Sequence, residues 1–315
     1  MAEKNVVCLG IVVGDFLVKP FEKMPEKGKL VLAGRTELHI GGCASNTGVV
    51  LKKLGVETAV IGKVGRDNLG KFVLAKLKEE GLDVSGMMTS EKTNTSGTAV
   101  FIHPDGERSF IHSVGANAEM KLAEIDFGFI KKFSILHVAG ALLMPGFDGD
   151  PLAETLKRAK TAGVTTCLDT AWDSTGKWMS LIEKSLPYVD YFLPSIEEAR
   201  MLTGKHAPED VAAFLLSKGV GNAGLKMGKE GSFIMNNSEK HFFKALDIDV
   251  VDTTGCGDAY AAGFIAGLAK NFSFEKCGLL ANLTGTKTAT SIGTTSGISS
   301  YENTVEFGKK FGYAF

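Results

Sequence analysis

Short β-prone runs alternate with helix-length segments along most of this chain of 315 residues, and that rhythm limits the fold more than any other feature. Val6–Val13 comes before Ala44–Leu54, Thr58–Val64 before Leu69–Glu80, Ser134–Val138 before Pro151–Ala162, and Thr165–Asp169 before Trp178–Ser185. Tyr188–Leu193, Ile196–Leu202, Val211–Lys218 and Ala223–Met227 continue the series. Strands separated by helices are joined by crossovers, which make them parallel and cover both faces of the sheet. Gly55, Gly81, Gly163 and Gly219 stand where four of these helices would end, in the position that favours a left-handed backbone. The expected class is therefore α/β, a three-layer sandwich around a mostly parallel central sheet.

Two stretches interrupt the series. Residues 16–40 and 97–113 are β-prone without helical period, and the second holds the turn His103-Pro104-Asp105-Gly106 between two strand-like runs. Together they predict a small β-sheet lid over the C-terminal edge of the main sheet, where open α/β sheets bind ligands. After Gly231 the chain turns at Asn236-Asn237 into a strand-like run ending near Val251, followed by helices over Asp258–Lys270 and Glu275–Thr290. No repeat or linker divides residues 1–315, which read as one domain carrying a lid.

Composition removes several classes of function. The 35 basic and 36 acidic residues form no long run of either sign, so the footprint of a nucleic-acid binder is missing. The five cysteines include no Cys-x-x-Cys pair, which argues against a zinc or dithiol motif and for reduced thiols. The start, Met-Ala-Glu-Lys-Asn, lacks the parts of a signal peptide, and no apolar stretch approaches the roughly 18 residues that span a bilayer. The expected location is the cytoplasm. Neither a Walker A pattern nor Gly-x-Gly-x-x-Gly after the first strand is present, which disfavours a P-loop enzyme and a dinucleotide oxidoreductase.

The segment Asp252-Thr-Thr-Gly-Cys-Gly-Asp258 opens a helix with small residues, so several backbone N–H groups can face one anion at the positive end of the helix dipole. A carboxylate beside an anion hole suits a base that takes a proton from a hydroxyl attacking phosphate, although Asp258 as a simple helix cap stays open. Upstream, Gly41-Gly42-Cys43-Ala44-Ser45-Asn46 pairs two glycines, which allow close approach to the backbone, with an amide that can both donate to and accept from a hydroxyl.

These two strings, in this order, resemble the signatures of the PfkB or ribokinase family of carbohydrate kinases. The resemblance runs from Gly14 to about Gly297 and implies a ribokinase-like α/β fold and ATP-dependent phosphorylation of a sugar hydroxymethyl. It implies Asp258 as catalytic base and Gly255, Cys256 and Gly257 as the anion hole, with Cys256 standing where Ala is usual. It places Asp15, Gly41, Gly42 and Asn46 at the sugar, and Lys226, Gly228, Gly231 and Thr253 at the nucleotide. Glu198 would act on Mg2+ through water, although Ser195 replaces the Asn of that motif and an exposed helix face remains the other reading of Glu198. Asp252, Thr254 and Gly293 would border a monovalent cation, K+. Arg108, His103 and His112 of the lid are further sugar-facing candidates. Lid strands that pair between subunits imply a homodimer, and no nucleic acid or membrane partner is expected. A nucleoside kinase of the adenosine type shares both signatures, and a sugar-binding regulator without catalysis is the non-enzymatic alternative.

Overall fold

A computed structural model describes residues 4–104 and 108–315. Its strands are β1 (Val6–Gly10), β2 (Val13–Lys19), β3 (Arg35–Gly41), β4 (Thr58–Ile61), β5 (Lys63–Gly65), β6 (Met88–Ser90), β7 (Gly97–Ile102), β8 (Arg108–Ser113), β9 (Ile135–Ala141), β10 (Thr165–Thr170), β11 (Tyr191–Phe192), β12 (Asn222–Lys226), β13 (Ser232–Met235) and β14 (Lys240–Phe243). The helices are α1 (Cys43–Lys53), α2 (Asn68–Glu79), α3 (Phe127–Ile130), α4 (Asp150–Thr161), α5 (Met179–Ile182), α6 (Ile196–Thr203), α7 (Pro208–Ser217), α8 (Cys256–Ala269), α9 (Phe274–Thr288) and α10 (Tyr301–Lys309).

The main sheet has the order β14-β13-β12-β11-β10-β9-β1-β4. From β4 to β12 every pairing is parallel, and β13 and β14 close the far edge as an antiparallel hairpin. Every residue of β1 is buried because its period-two alternation feeds two cores. Val7 and Leu9 pack with Leu152, Leu156, Val211 and Leu215 from α4 and α7, while Val6 and Cys8 pack with Val49, Val50, Ala262 and Ile265 from α1 and α8. That is the three-layer, mostly parallel architecture the strand and helix rhythm predicts. Helix α8 is apolar nearly all round and is accordingly buried nearly all round. A side chain at Gly263 would collide with Thr284 and the Leu280 carbonyl of α9, so the small residues of α8 let the two helices approach closely.

The smaller sheet has the order β3-β2-β7-β8. Registers Asp15↔His39, Asp15↔Thr98 and Thr98↔His112 put these four polar residues on one face, and Phe16, Leu38, Ala99 and Ile111 form a row on the other. Of the turn expected at 103–106, Asp105 and Gly106 lie outside the described residues, as do Met1-Ala-Glu at the chain start. Residues 20–34 between β2 and β3 form no strand, and Phe21 folds back onto Phe101 with ring centroids 4.4 Å apart.

Other boundaries differ from the sequence expectation as well. The strand-like run toward Val251 ends at Phe243, and residues 244–255 have no regular structure because Leu246, Ile248 and Val250 line a cleft instead of joining a ladder. Of Trp178–Ser185 only α5 is helical, since the Asp173 carboxylate accepts N–H bonds from Thr175 (2.8 Å) and Trp178 (2.6 Å) and fixes a turn there. Of Tyr188–Leu193 only the two residues of β11 pair. Among the described residues no helix is long and apolar enough to cross a membrane.

Candidate active site

The strands β1, β9, β10 and β12 all end on the side where α1 and α8 begin, and the lid lies over that edge. Two glycine turns shape the place. Gly42 caps α1 with φ 91°, and a side chain on it would strike the Ile11 carbonyl at 2.5 Å. Gly255 caps α8 with φ 78°, and a side chain there would strike the Thr294 carbonyl at 2.4 Å. Only glycine combines a left-handed backbone with such close approach.

Between these turns Asn46 meets Asp258. The Asn46 Nδ2 donates to Asp258 Oδ2 at 2.8 Å, and the Thr47 hydroxyl donates to the Asp258 carbonyl at 3.3 Å. The Asn46 Oδ1 is buried and has no partner among the described residues, so one end of this amide orients the acid while the other stays available. Burial raises the Asp258 pKa above its ordinary value, against the Asn46 hydrogen bond, the nearby Lys226 ammonium and the Cys43 thiol, which lower it. The carboxylate of Asp15 fills the space beside Gly41, where a side chain would lie 2.0 Å from Asp15 Oδ2. Burial raises its pKa too, offset in part by Thr98 and His39. The structure thus sets Asp15 against Gly41 and Asn46 against Asp258, on either side of the Gly42 turn that opens α1.

Of the turn that the resemblance names as the anion hole, one amide is already engaged within the turn itself. The Cys256 N–H donates to the Thr253 carbonyl at 3.2 Å. The N–H groups of Gly257 and Asp258 follow it in the first turn of α8, where a helix leaves amides without acceptors. Burial, with Asp252 and Asp258 nearby, pushes the Cys256 thiol up to about 12, which keeps it protonated.

On the other side of α8 a cleft of about 660 Å³ is lined by Lys226, Gly228, Gly231, Thr253, Cys256 and Gly257. Its wall is apolar, with Leu246, Ile248, Val250 and Ala289, and carries one amide, Asn282. A smaller cavity lies elsewhere, beside Lys4 and Lys270. In the cleft, the Lys226 ammonium donates to both carboxylate oxygens of Asp169, each at 2.7 Å, and lies 3.4 Å from where a side chain on Gly257 would begin. Burial drives the Asp169 pKa upward while Lys226 pulls it down. Burial works against the Lys226 charge as well, yet Asp169 and Glu198 hold its pKa above the ordinary lysine value. Two short bonds to one ammonium favour the ionised pair, which is the state we assign.

Glu198 lines the same cleft. Its Oε2 accepts from the Ser195 N–H (3.0 Å) and the Thr170 hydroxyl (3.1 Å), and Ser195 Oγ accepts from the Glu198 N–H (3.2 Å). This capping box explains how Ser works in place of Asn, because either side chain caps a helix start. Glu198 Oε1 is left over on a residue that lines the cleft, and a carboxylate oxygen is the donor type that Mg2+ or its bound water takes.

The predicted cation site has different company. Asp252 Oδ1 accepts from the Thr254 N–H (2.8 Å) and Oδ2 from the Gly293 N–H (2.7 Å), while the Arg108 guanidinium reaches across from the lid to Asp252 and the Thr254 hydroxyl. Arg108 therefore contacts the turn before α8. His103 bonds with Ser109 and His112 with Thr98, both within the lid. Asp169 and the reach of Arg108 were not read from the sequence. The signal for Asp169 was its place at the end of a parallel strand, and none existed for Arg108.

Comparison with known proteins gives the family and the fold. The family described as pfkB family carbohydrate kinase matches residues 3–300. An uncharacterized sugar kinase of Archaeoglobus fulgidus is 30% identical over 79% of this chain and 97% of its own. The 2-dehydro-3-deoxygluconokinase of Bacillus subtilis is 28% identical over 85% of this chain and 86% of its own. Among solved structures, a ribokinase from Thermotoga maritima superposes with a TM-score of 0.84 at 22% identity, covering 97% of this chain and 99% of that one. A putative ribokinase II from E. coli in complex with ATP and Mg2+ gives 0.86 at 20% identity, covering 98% and 99%. The chain belongs to the pfkB family of carbohydrate kinases and has the ribokinase fold.

Proposed function

We propose that this kinase transfers the γ-phosphoryl of ATP to a hydroxymethyl group of a small sugar, with Asp258 as the base. The observation that carries the reading is the placement of Asp258. A partly buried carboxylate, held by a neutral amide at 2.8 Å, stands in the first turn of α8, with the start of α1 on one side and an apolar cleft on the other. The sugar binds on the side of Asp15, Gly41, Gly42 and Asn46. The nucleotide binds on the side of Gly228, Gly231 and Thr253, with its phosphates toward Lys226 and the α8 turn.

The hydroxyl oxygen forms a bond to the γ-phosphorus as the bond from that phosphorus to the β,γ-bridging oxygen breaks. The hydroxyl proton passes to Asp258, and ADP leaves with the bond's electron pair. The amides of Gly257 and Asp258 stabilise negative charge on the transferred group, and the lid excludes water. Mg2+, when bound, neutralises phosphate charge, and Glu198 would hold it through a water. We read residues 1–315 as one catalytic unit working in the cytoplasm, and we place a second copy on the outer face of the lid, where Phe16, Leu38 and Ile111 are exposed. Light scattering that finds a monomer at micromolar concentration would remove that copy.

ATP consumption against hexoses, pentoses, 2-keto sugar acids and nucleosides tests the reading. The 2-keto acids enter because of the named activity of the Bacillus subtilis relative. A sugar hit lost by roughly 10³-fold in Asp258→Asn, with sugar binding kept by calorimetry, is the expected result. Substantial turnover by Asp258→Asn would refute the base. A nucleoside hit alone would make the chain a nucleoside kinase of this fold.

A further inference from the structure

The turn before α8 and the loop over residues 288–298 form the place where a monovalent cation is expected, and this chain has its own cations there. Asp252 is almost wholly buried, and the guanidinium of Arg108 from lid strand β8 pairs with it and with the Thr254 hydroxyl. The carbonyls of the facing loop are engaged as well. The Lys53 ammonium donates to the Thr295 carbonyl at 3.0 Å, and the Lys287 ammonium donates to the Gly297 carbonyl at 3.0 Å. The Ala289 carbonyl accepts the N–H groups of Val251 (2.8 Å) and Asp252 (3.2 Å). A K+ ion needs several free oxygens converging on one point. Here the acid is compensated and three loop carbonyls already have donors.

We propose that Arg108, with Lys53 and Lys287, takes the place of a monovalent cation, so that this kinase works without K+ and completes its anion turn only when the lid is down. The second half follows from where the guanidinium originates. Lys53 lies on α1 and Lys287 on α9, both fixed to the body, but Arg108 lies on the lid. Moving β8 away would leave the buried Asp252 carboxylate uncompensated, next to the turn whose amides receive phosphate. Closure of the lid over a sugar and organisation of the phosphate site thereby become one event, and Arg108 is a positioning residue rather than a catalytic one.

The inference rests on the kinase reading, so its test includes a measurement that needs no turnover. ADP affinity by calorimetry, thermal stability, and turnover of whichever sugar the panel identifies are compared in KCl, NaCl and choline chloride at equal ionic strength. For the wild type all three agree within about twofold, since no cation binds a site that is already filled. For Arg108→Ala, kcat falls roughly tenfold or more and recovers in part with K+ or guanidinium, while Arg108→Lys keeps cation independence. If Arg108→Ala does not fold, the wild-type comparison and Arg108→Lys still decide. Activation or stabilisation of the wild type by K+ of about tenfold or more in affinity or rate overturns the proposal. So does an Arg108→Ala enzyme altered only in sugar KM and indifferent to cations. No sugar turnover with cation-independent ADP binding would instead count against the catalytic reading and leave the filled site supported.

Discussion

Asp258, partly buried, and Asp169, fully buried, are two acids near the start of α8, and they differ in their partners. Asp258 is held by a neutral amide, Asn46, whereas Asp169 grips an ammonium, Lys226, with both oxygens. An acid against a neutral donor in a buried site can accept a proton at modest cost, because burial already disfavours its charge. An acid locked to a lysine cannot do so without stranding a buried cation. The partner separates the carboxylate we propose as the base from the one locked in an ion pair.

Removing the cation is the most direct way to break that contrast. Lys226→Met should destabilise the fold by about 3–5 kcal/mol near pH 8, because it leaves Asp169 buried and uncompensated. Asp169 then titrates above the ordinary carboxylate range, so lowering the pH through that raised value neutralises it and returns part of the loss. Denaturant unfolding at pH 8 and pH 5 checks this. An equal loss at both would mean that Asp169 was never charged. Replacing both partners with apolar residues should cost less than Lys226→Met alone.

The same logic on the other acid gives the opposite sign. The folded-state pKa of Asp258 is raised, so the native protein prefers it protonated and its ionisation at neutral pH works against stability. Asp258→Asn should therefore abolish turnover and yet leave the protein more stable than wild type by about 1–2 kcal/mol at pH 7. That gain shrinks as the pH falls through the raised pKa. A destabilised Asp258→Asn would mean that the carboxylate holds the fold together.

With Asp258 as the proposed base, its raised pKa puts the loss of the ionised form on the acid side of the pH profile, where turnover should fall. The midpoint should lie above the ordinary carboxylate range. Asn46→Ala removes the largest favourable contact and should move that midpoint upward by about one unit, along with a raised sugar KM. A midpoint that moves down, or not at all, would detach Asn46 from the base.

The sequence carried the frame of this site better than its wiring. Parallel strands buried on both faces announce themselves as apolar runs, and glycines whose backbone or neighbours exclude a side chain announce the turns at Gly42 and Gly255. Asp15, Asn46 and Asp258 were legible as candidates because two motifs and a strand end put them at the edge where such sheets bind ligands. Pairings between remote residues leave no such trace. Lys226 and Asp169 are separated by 57 positions and Arg108 and Thr254 by 146, so nothing local links them. The strand-like run toward Val251 failed for a related reason. Its apolar residues serve a ligand cleft, which calls for the same residue types as a strand.

Ser195 offers the smallest and most local test of the contrast, since its hydroxyl is engaged with the Glu198 N–H and with neither acid. Its hydroxyl accepts the Glu198 N–H while Glu198 returns a bond to the Ser195 N–H, so the pair closes the first turn of α6. Ser195→Ala should lower stability by about 1 kcal/mol, and Ser195→Asn by no more than a few tenths, because either polar side chain caps the helix. Turnover at saturating Mg2+ should stay within about twofold in Ser195→Asn if the residue only caps. A large loss there, with stability kept, would show that Ser195 and Glu198 act on the metal and phosphates together, and would extend the functional region from the α8 turn to the start of α6.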